Sequence, residues 1–168
     1  MPTVTAMDKM GRTFKGILYC GIMMTKNGPT VLEYNARFGD PETQVILPRL
    51  KTDLLDIVDA IIDQRLDKIS VEWDDNAAVC VVLASGGYPE KYTKGYKISG
   101  LDDVKGCIVF HAGTAFYGGD IVTAGGRVLN VVAVEKDIES AREKVYNELK
   151  RISFKDMYYR GDIAKIGE

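Results

Sequence analysis

Residues 31–44 read Val-Leu-Glu-Tyr-Asn-Ala-Arg-Phe-Gly-Asp-Pro-Glu-Thr-Gln, and they predict a strand over residues 30–37 that ends in a polar turn. Side chains alternate between the two faces of a strand, so Glu33, Asn35 and Arg37 share one face and the apolar side chains between them fill the other. A buried strand rarely carries an acid, an amide and a guanidinium side by side, because each loses hydration unless it gains a partner. The pattern therefore indicates a functional face.

The chemistry of this face favours a metal ion and a phosphate. A carboxylate and an amide oxygen two residues apart can bind one hard cation such as Mg²⁺ or Mn²⁺, which usually completes its shell with water and substrate phosphates. Arg37 would add a fixed positive charge, as phosphoryl chemistry requires. The alternative is a strand with an ordinary salt-bridged solvent face. The Asp-Pro-Glu continuation makes us prefer the functional interpretation.

The flanking sequence predicts a hairpin before the motif and helices after it. Gly16–Met24 reads as an apolar strand, and Asn27-Gly28 is typical of a hairpin turn, so a two-residue loop would place Ile22 opposite Glu33. Asp40 and Pro41 read as the N-cap and first residue of a helix that is interrupted at Pro48. A second helix carries one apolar stripe that we expect to be buried, at Leu54, Leu55, Ile57, Val58, Ile61 and Ile62.

The second half predicts a different architecture, an α+β domain with an antiparallel sheet. Residues 66–76 are a polar interruption, and we expect a domain boundary there, between residues 1–66 and 67–168. Beyond it the period changes from helix to strand. The predicted strands are residues 77–84, 107–116 and 127–135, and the predicted helix is 138–152.

Three polar or glycine-rich positions in this half could carry function. Gly125-Gly126-Arg127 could bring backbone amides and a guanidinium to a phosphate, although a tight turn with a surface arginine is the more common meaning of such a sequence. His111 is the single histidine, which favours a hydrogen-bonded structural role over a general base. Ser85-Gly86-Gly87 lacks the spacing and the lysine of a phosphate-binding P-loop, so we interpret it as a turn.

Composition argues against several classes of partner. The formal net charge of the 168 residues is -2 and the pI is near 5.5, without a block of like charges, so we expect no nucleic-acid partner. The apolar stretches are too short to span a bilayer, so we expect no membrane partner. The three cysteines show no CxxC spacing, which predicts buried thiols and a cytoplasmic protein.

Residues 16–48, GILYCGIMMTKNGPTVLEYNARFGDPETQVILP, resemble the closing segment of the ATP-grasp region in the glycinamide ribonucleotide synthetase (phosphoribosylamine-glycine ligase) family. The resemblance continues through LASGGYPEKYTKGY, VFHAGTAF, GGRVLNVVAV and ISFKDMYYRGDI. It covers nearly the whole chain, but only the C-terminal part of a longer family chain. It implies the end of an ATP-grasp domain followed by the C-terminal domain of the ligase.

The resemblance implies a ligase that joins glycine to 5-phosphoribosylamine while ATP becomes ADP and phosphate. In that scheme Glu33 and Asn35 hold Mg²⁺ or Mn²⁺ between nucleotide phosphates, and Arg37 stabilises phosphoryl or acyl-phosphate oxygens. Asp40 is a candidate partner for the substrate amino group, and Arg127 for the substrate phosphate.

The nucleotide-covering elements and the upstream lysines of an ATP-grasp site are not found in the sequence. We therefore expect a C-terminal fragment that folds but needs the N-terminal remainder of the ligase to be active. Two alternatives stay open. One is a non-catalytic module that keeps the C-terminal fold, and the other is an ATP-grasp ligase that acts on another carboxylate.

Overall fold

The computed structural model describes residues 2–165 and shows a mixed α+β protein with antiparallel sheets, which confirms the predicted fold class. The helices are α1 (Pro2–Lys9), α2 (Thr43–Ile46), α3 (Leu54–Ile62) and α4 (Ile138–Glu148). The strands are β1 (Tyr19–Thr25), β2 (Gly28–Asn35), β3 (Ala77–Ser85), β4 (Ile108–His111), β5 (Thr114–Tyr117), β6 (Asp120–Thr123), β7 (Arg127–Glu135) and β8 (Met157–Tyr158).

The chain forms two compact units. The first contains the residues up to Asp40 together with Leu50–Trp73, and the second contains Pro41–Arg49 together with the chain from Asp74 onward. Each unit is thus built from two separate stretches of sequence. The predicted boundary between residues 66 and 67 stays a prediction.

The β1–β2 hairpin of the first unit turns earlier than expected. Lys26 and Asn27 form the turn, and Gly28 begins β2 with a φ of +98°, a value that glycine adopts without steric cost. The ladder then shifts register between Gly21 and Ile22, which leaves Leu32 as an extra residue on β2. As a result Glu33 pairs with Gly21, and the predicted pairing of Glu33 with Ile22 is wrong.

Apolar side chains of the first unit are more exposed than the sequence pattern predicts. Met24 of β1 is 75% exposed and Leu32 of β2 is 62% exposed. The described residues therefore do not bury these apolar side chains of the hairpin. In α3, Ile57 is buried but Leu55 is 72% exposed, so the predicted stripe is buried only in part. The helix itself was predicted correctly, but the prediction that its whole apolar stripe is buried was not.

The helices at either end of the hairpin also differ from expectation. Helix α1 was not predicted from the sequence, and none of its residues is buried. The predicted N-cap at Asp40 is wrong, because Asp40 lies in a turn and α2 starts at Thr43 after Glu42. Pro48 falls in a 3₁₀ turn, Leu47–Arg49, which ends the helical stretch as predicted.

The second unit is organised by a four-stranded antiparallel sheet in the order β4-β7-β3-β8. The long strands β3 and β7 pair along their length, with Val81 opposite Val131. Helix α4 packs on this pair, α2 packs against the same two strands, and the 3₁₀ turn that follows α2 packs against β3. The hydrophobic core consists of Val79, Val81, Leu83, Ile98, Val128, Leu129, Val131, Ala133, Ala141, Val145, Leu149, Ile152 and Phe154.

The start of α4 is held by a side-chain cap. The Asp137 carboxylate accepts a hydrogen bond from the Ser140 backbone N–H at 2.7 Å, and this bond lowers the pKa of Asp137. Negative charge is favoured at that position by the unpaired amides of the first helical turn. Helical spacing was predicted to Ile152, and the last turn is a 3₁₀ turn at Leu149–Arg151.

The predicted strand 107–116 is broken by close packing at Gly113. A Cβ atom on Gly113 would lie 2.5 Å from the Arg127 carbonyl oxygen and 2.6 Å from the Gly125 Cα atom. The Ala124 N–H donates to the Gly113 carbonyl at 2.7 Å, so the chain bends here and β5 pairs with β6 instead of continuing β4. The glycine is required by the approach of a second backbone.

The turn after β3 meets the turn before β7. The Ser85 hydroxyl donates to the Gly125 carbonyl at 2.9 Å, and the Ser85 N–H donates to the Gly126 carbonyl at 2.8 Å. The Tyr88 ring lies directly on Gly126, where an added Cβ would come within 2.1 Å of the ring. Gly126 therefore leaves the space that the Tyr88 ring occupies.

The core predicts different costs for two phenylalanines of the second unit. Phe154 is 8% exposed and packs in the core, whereas Phe116 is 82% exposed on β5. We expect Phe154→Ala to lower the free energy of unfolding by about 3–5 kcal/mol, and Phe116→Ala to change it by less than about 0.5 kcal/mol. Denaturant unfolding followed by circular dichroism measures both. Equal costs would contradict the described core.

The contact between Tyr88 and Gly126 makes a second prediction. Gly126→Ala should displace the ring and cost about 1–3 kcal/mol, and Tyr88→Ala in the same chain should remove much of that cost. Gly161→Ala is the matched control, because no heavy atom outside its chain neighbours lies within 4 Å of the added Cβ. The measurement is a double-mutant cycle by denaturant unfolding. Strictly additive effects would show that the two residues do not touch.

Candidate functional site

Glu33 and Asn35 lie side by side on β2. The Asn35 Nδ2 atom donates a hydrogen bond to the Glu33 carboxylate at 3.2 Å, so the two side chains project from the same face of the strand. Glu33 is exposed and Asn35 is half-buried. The alternation of strand side chains, together with a strand that reaches Asn35, explains why they meet.

This pair has the donor atoms that a hard cation prefers, a carboxylate and an amide oxygen. Which end of an amide is oxygen follows from the hydrogen-bond network, and half a turn of the Asn35 amide would present its oxygen beside the Glu33 carboxylate. Within residues 2–165 no group of three or more His, Cys, Asp or Glu side chains could hold a metal ion. The pair could supply two oxygen ligands to a hard cation.

Arg37 does not lie on the strand with the other two. The strand ends at Asn35, and Arg37 sits in the following bend, where its Nη1 atom donates to the Phe38 carbonyl at 2.7 Å. The predicted strand to residue 37 is thus two residues too long. The guanidinium is exposed on a bend, so its direction is set by that backbone hydrogen bond and not by the pleat of the sheet.

Asp40 and Arg127 occupy different units. Asp40 is half-buried in the turn that precedes α2. Arg127 is the first residue of β7 and pairs with Ala84, and its carbonyl accepts a hydrogen bond from the Gly113 N–H at 2.8 Å. The structure brings Glu33 and Asn35 together, and it places Arg127 among the turns at the end of the second unit's sheet.

The sequence interpretation missed a small polar hollow at that end of the sheet. It has a volume of about 170 Å³ and is lined by Gly86, Lys91, Tyr92, Thr93, Tyr96 and Asp156. The Ser85-Gly86-Gly87 turn is hydrogen-bonded to the Gly125-Gly126 turn, so two glycine-rich stretches that we considered separately form one cluster. The pairing of β3 with β7 would have revealed this, since it sets Ala84 opposite Arg127.

The other predicted features can be placed directly. His111 Nδ1 and the Thr114 hydroxyl are 3.0 Å apart, which confirms the hydrogen-bonded interpretation of that histidine. The thiols of Cys20, Cys80 and Cys107 are half-buried, so the prediction that they are buried is correct only in part. Burial raises the pKa of the Cys107 thiol. No helix among residues 2–165 is long and apolar enough to cross a membrane.

Comparison with known proteins identifies the parts of the chain. Residues 78–166 match the family described as "Phosphoribosylglycinamide synthetase, C domain", and residues 1–43 match "Phosphoribosylglycinamide synthetase, ATP-grasp (A) domain". These two matches contain every predicted site residue. The first of them alone covers more than half of the 168 residues.

Curated relatives and a solved structure agree with those matches. A protein named phosphoribosylamine–glycine ligase from Caldanaerobacter subterraneus subsp. tengcongensis is 55% identical over 163 residues, which is 97% of this chain and 39% of the relative. The trifunctional purine biosynthetic protein adenosine-3 of Gallus gallus is 49% identical over 165 residues, with 96% of this chain and 16% of that protein covered.

The crystal structure of phosphoribosylamine–glycine ligase from Thermotoga maritima superposes with a TM-score of 0.75 at 36% identity, covering 95% of this chain and 39% of that one. The chain thus spans about 39% of the length of the ligases it matches. The chain belongs to the phosphoribosylglycinamide synthetase family.

Proposed function

We propose that this chain supplies the metal-binding strand and the C-terminal domain of an ATP-dependent ligase that joins glycine to 5-phosphoribosylamine. The products would be glycinamide ribonucleotide, ADP and phosphate, and the setting would be purine biosynthesis in the cytoplasm. The relatives named phosphoribosylamine–glycine ligase, 46–55% identical to it, support this proposal.

The single observation that carries the proposal is the Glu33–Asn35 pair at the end of β2, which is followed by a bend and then by the turn at residues 40–42. A carboxylate and an amide oxygen fixed on one strand face are suited to a cation that bridges nucleotide phosphates. When bound there, Mg²⁺ or Mn²⁺ would neutralise charge on the transferred phosphoryl group. The role of the protein at this point is to hold two oxygen ligands at a fixed spacing.

Carboxylate activation explains why such a site needs cationic side chains. Glycine's carboxylate is a poor acyl donor, because oxide is a poor leaving group; as glycyl phosphate it can release phosphate when the amine attacks. In the proposed scheme Arg37 pairs with the phosphoryl or acyl-phosphate oxygens, and Asp40 accepts a hydrogen bond from the substrate amino group. Arg127 would hold the ribose phosphate of the second substrate through its planar guanidinium.

We further propose that the hairpin is covered by the N-terminal remainder of such a ligase. Among the described residues β1 and β2 pair only with each other, so each has an open edge. Ile22 is 56% exposed and Met24 is 75% exposed, which is unusual for side chains of a sheet. A partner that adds strands and covers these side chains would also close the Glu33–Asn35 site to water.

The proposal is tested in a chimera. We would replace the matching 39% of the Caldanaerobacter ligase by this chain and measure ADP release with ATP, Mg²⁺, glycine and freshly generated phosphoribosylamine. The chimera should show glycine-dependent turnover, and Glu33→Ala within it should lower turnover about a hundredfold because an anionic ligand is lost. Glu72→Ala, which removes another exposed acid of the first unit, is the matched control and should leave turnover unchanged.

Each possible result separates the candidate functions. The 168-residue chain alone should give no glycine-dependent ADP release, because the site is open to solvent. A folded chimera that binds no nucleotide would support the non-catalytic module, and ATP turnover with a carboxylate other than glycine would support another ligase. Full activity of the Glu33→Ala chimera with an unchanged magnesium titration would remove the proposed metal role.

Substitution of Arg37 and substitution of Arg127 should change different kinetic constants. Lysine keeps the charge but loses the planar pair of donors, so Arg37→Lys should mainly lower kcat and Arg127→Lys should raise the KM for phosphoribosylamine about tenfold. Arg12→Lys, on an exposed position of the first unit, is the control. Steady-state kinetics of the chimera measures all three. Unaltered kinetics in the Arg127 variant would return that residue to a structural role.

A further inference from the structure

The polar hollow at the end of the second unit's sheet is formed by two segments that approach closely through their backbones. The Gly86 N–H donates to the Asp156 carbonyl at 2.6 Å, next to the pairing of β3 with β8. A Cβ atom on Gly86 would lie 2.7 Å from the Asp156 carbonyl oxygen, and one on Gly87 would lie 2.2 Å from the Lys91 carbonyl oxygen. Both glycines are required for these approaches, which bring the loop after β3 and residue 156 to one hollow.

Asp156 has a backbone conformation that is uncommon for a residue other than glycine. Its φ is +60°, in the left-handed region. Residues held in this region are enriched at binding and catalytic sites. The Asp156 side chain forms no hydrogen bond and no ion pair with another residue of the described range 2–165. Its carboxylate is therefore available to a ligand.

Lysine ammonium groups lie beside the rings that line the hollow. The Lys94 Nζ atom is 5.7 Å from the centre of the Tyr92 ring. The Lys155 Nζ atom is 5.2 Å from the centre of the Tyr96 ring. Lys91 is itself a lining residue, as are both tyrosines. None of the three lysines forms a salt bridge within the part of the chain that the structure describes.

The lack of acidic partners distinguishes these lysines from their neighbour. Lys97, one residue beyond Tyr96, has its Nζ atom 2.7 Å from the Asp120 carboxylate. Around the hollow the acids are Asp156 and Glu90, against three lysines, so the positive charge is only partly balanced. This balance favours an anionic ligand over a cation.

The hollow also offers hydroxyl groups to a ligand. The hydroxyls of Tyr92, Thr93 and Tyr96 form no hydrogen bond with other residues between 2 and 165. The Tyr92 ring is held in place from outside, because the Tyr88 ring meets it edge-on with the ring centres 6.0 Å apart. Hydroxyl groups can both donate and accept, so they suit a ligand with several oxygen atoms.

We propose that this hollow binds a small phosphate ester that carries a free hydroxyl group, which is the chemistry of a sugar phosphate. The lysines would balance the phosphate charge. The Asp156 carboxylate would repel a bare anion, but it can accept a hydrogen bond from a ligand hydroxyl. The volume of about 170 Å³ lies below the roughly 300–1,000 Å³ of pockets for drug-sized ligands, so it suits part of a small ligand better than a nucleotide.

The binding site does not rest on the proposed ligase activity, but the source of its ligand can. One source is the phosphoribosylamine of the proposed reaction, and this assignment rests on the proposed function. The other is a separate sugar phosphate that acts as an effector. Both present the same groups to the hollow, so the first experiment measures binding alone.

Titration of the 168-residue chain tests the binding. We would add ribose 5-phosphate, inorganic phosphate or ribose at constant ionic strength and follow backbone amide chemical shifts. Ribose 5-phosphate should give saturable shifts at Gly86, Thr93 and Asp156. Inorganic phosphate should bind about tenfold more weakly, because it offers Asp156 no sugar hydroxyl, and ribose should not bind. Shifts that do not saturate, or equal affinity for the two phosphates, would overturn the proposal.

Variants assign the binding to particular charges. Lys91→Gln should weaken ribose 5-phosphate binding about fivefold. The matched control is Lys150→Gln, which removes an exposed lysine of the same unit that does not line the hollow and forms no salt bridge with a described residue. Equal effects of the two variants would show that the hollow is not the binding site.

Asp156→Asn tests the hydroxyl contact separately. Asparagine tolerates the left-handed backbone and keeps the shape, but it removes the negative charge. Inorganic phosphate should then bind more tightly, so the preference for ribose 5-phosphate should narrow. A merely structural residue would not change this ratio, and an unchanged ratio would contradict the assigned role of Asp156.

The Caldanaerobacter chimera distinguishes the two sources of the ligand. We expect Lys91→Gln to raise the KM for phosphoribosylamine about fivefold there, which would identify the substrate as the ligand. An unchanged KM, with ribose 5-phosphate still bound by the isolated chain, would instead identify an effector site. An inactive chimera would count against the proposed function only, whereas an isolated chain that binds no ribose 5-phosphate would overturn this inference even if the chimera were active.

Discussion

The antiparallel pairing of β3 with β7 is the constraint on which the second unit depends. The pairing places Val79, Val81 and Leu83 in the core with α4, and α2 packs against the same two strands. The register also determines what happens at the end of the sheet, where Ala84 stands opposite Arg127. The two glycine turns, the Tyr88 ring and the polar hollow all lie where the end of β3 meets the start of β7.

Elements with a strong apolar period could be predicted from the sequence. The run at residues 127–135 coincides with β7, the run at 77–84 is one residue shorter than β3, and the predicted helix 138–152 contains α4, whose buried residues are Ala141 and Val145. These segments bury their apolar side chains against one another within the chain. The apolar pattern that predicts these elements is therefore also the pattern of side chains that the fold buries.

Features that depend on contacts with other parts of the backbone could not be predicted in this way. The break at Gly113 results from the approach of Gly125, which is twelve residues away in sequence and lies beyond a hairpin. The bulge at Leu32 and the early turn at Lys26 changed the register of the first hairpin. In the candidate site, the Glu33–Asn35 contact followed from strand alternation, but Arg37 lies beyond the strand, where the pleat no longer determines direction.

The path of the chain has a consequence for how this protein can be divided. The backbone passes from the first unit to the second at Asp40–Pro41, returns at Arg49–Leu50, and crosses again at Trp73–Asp74. A C-terminal piece that began after residue 73 would lack Pro41–Arg49, the segment whose helix α2 packs against β3 and β7. The two units are therefore inseparable by a single cleavage. Any recombination event that exchanged the C-terminal domain at such a point would have to carry along a nine-residue piece encoded upstream, Pro41–Arg49.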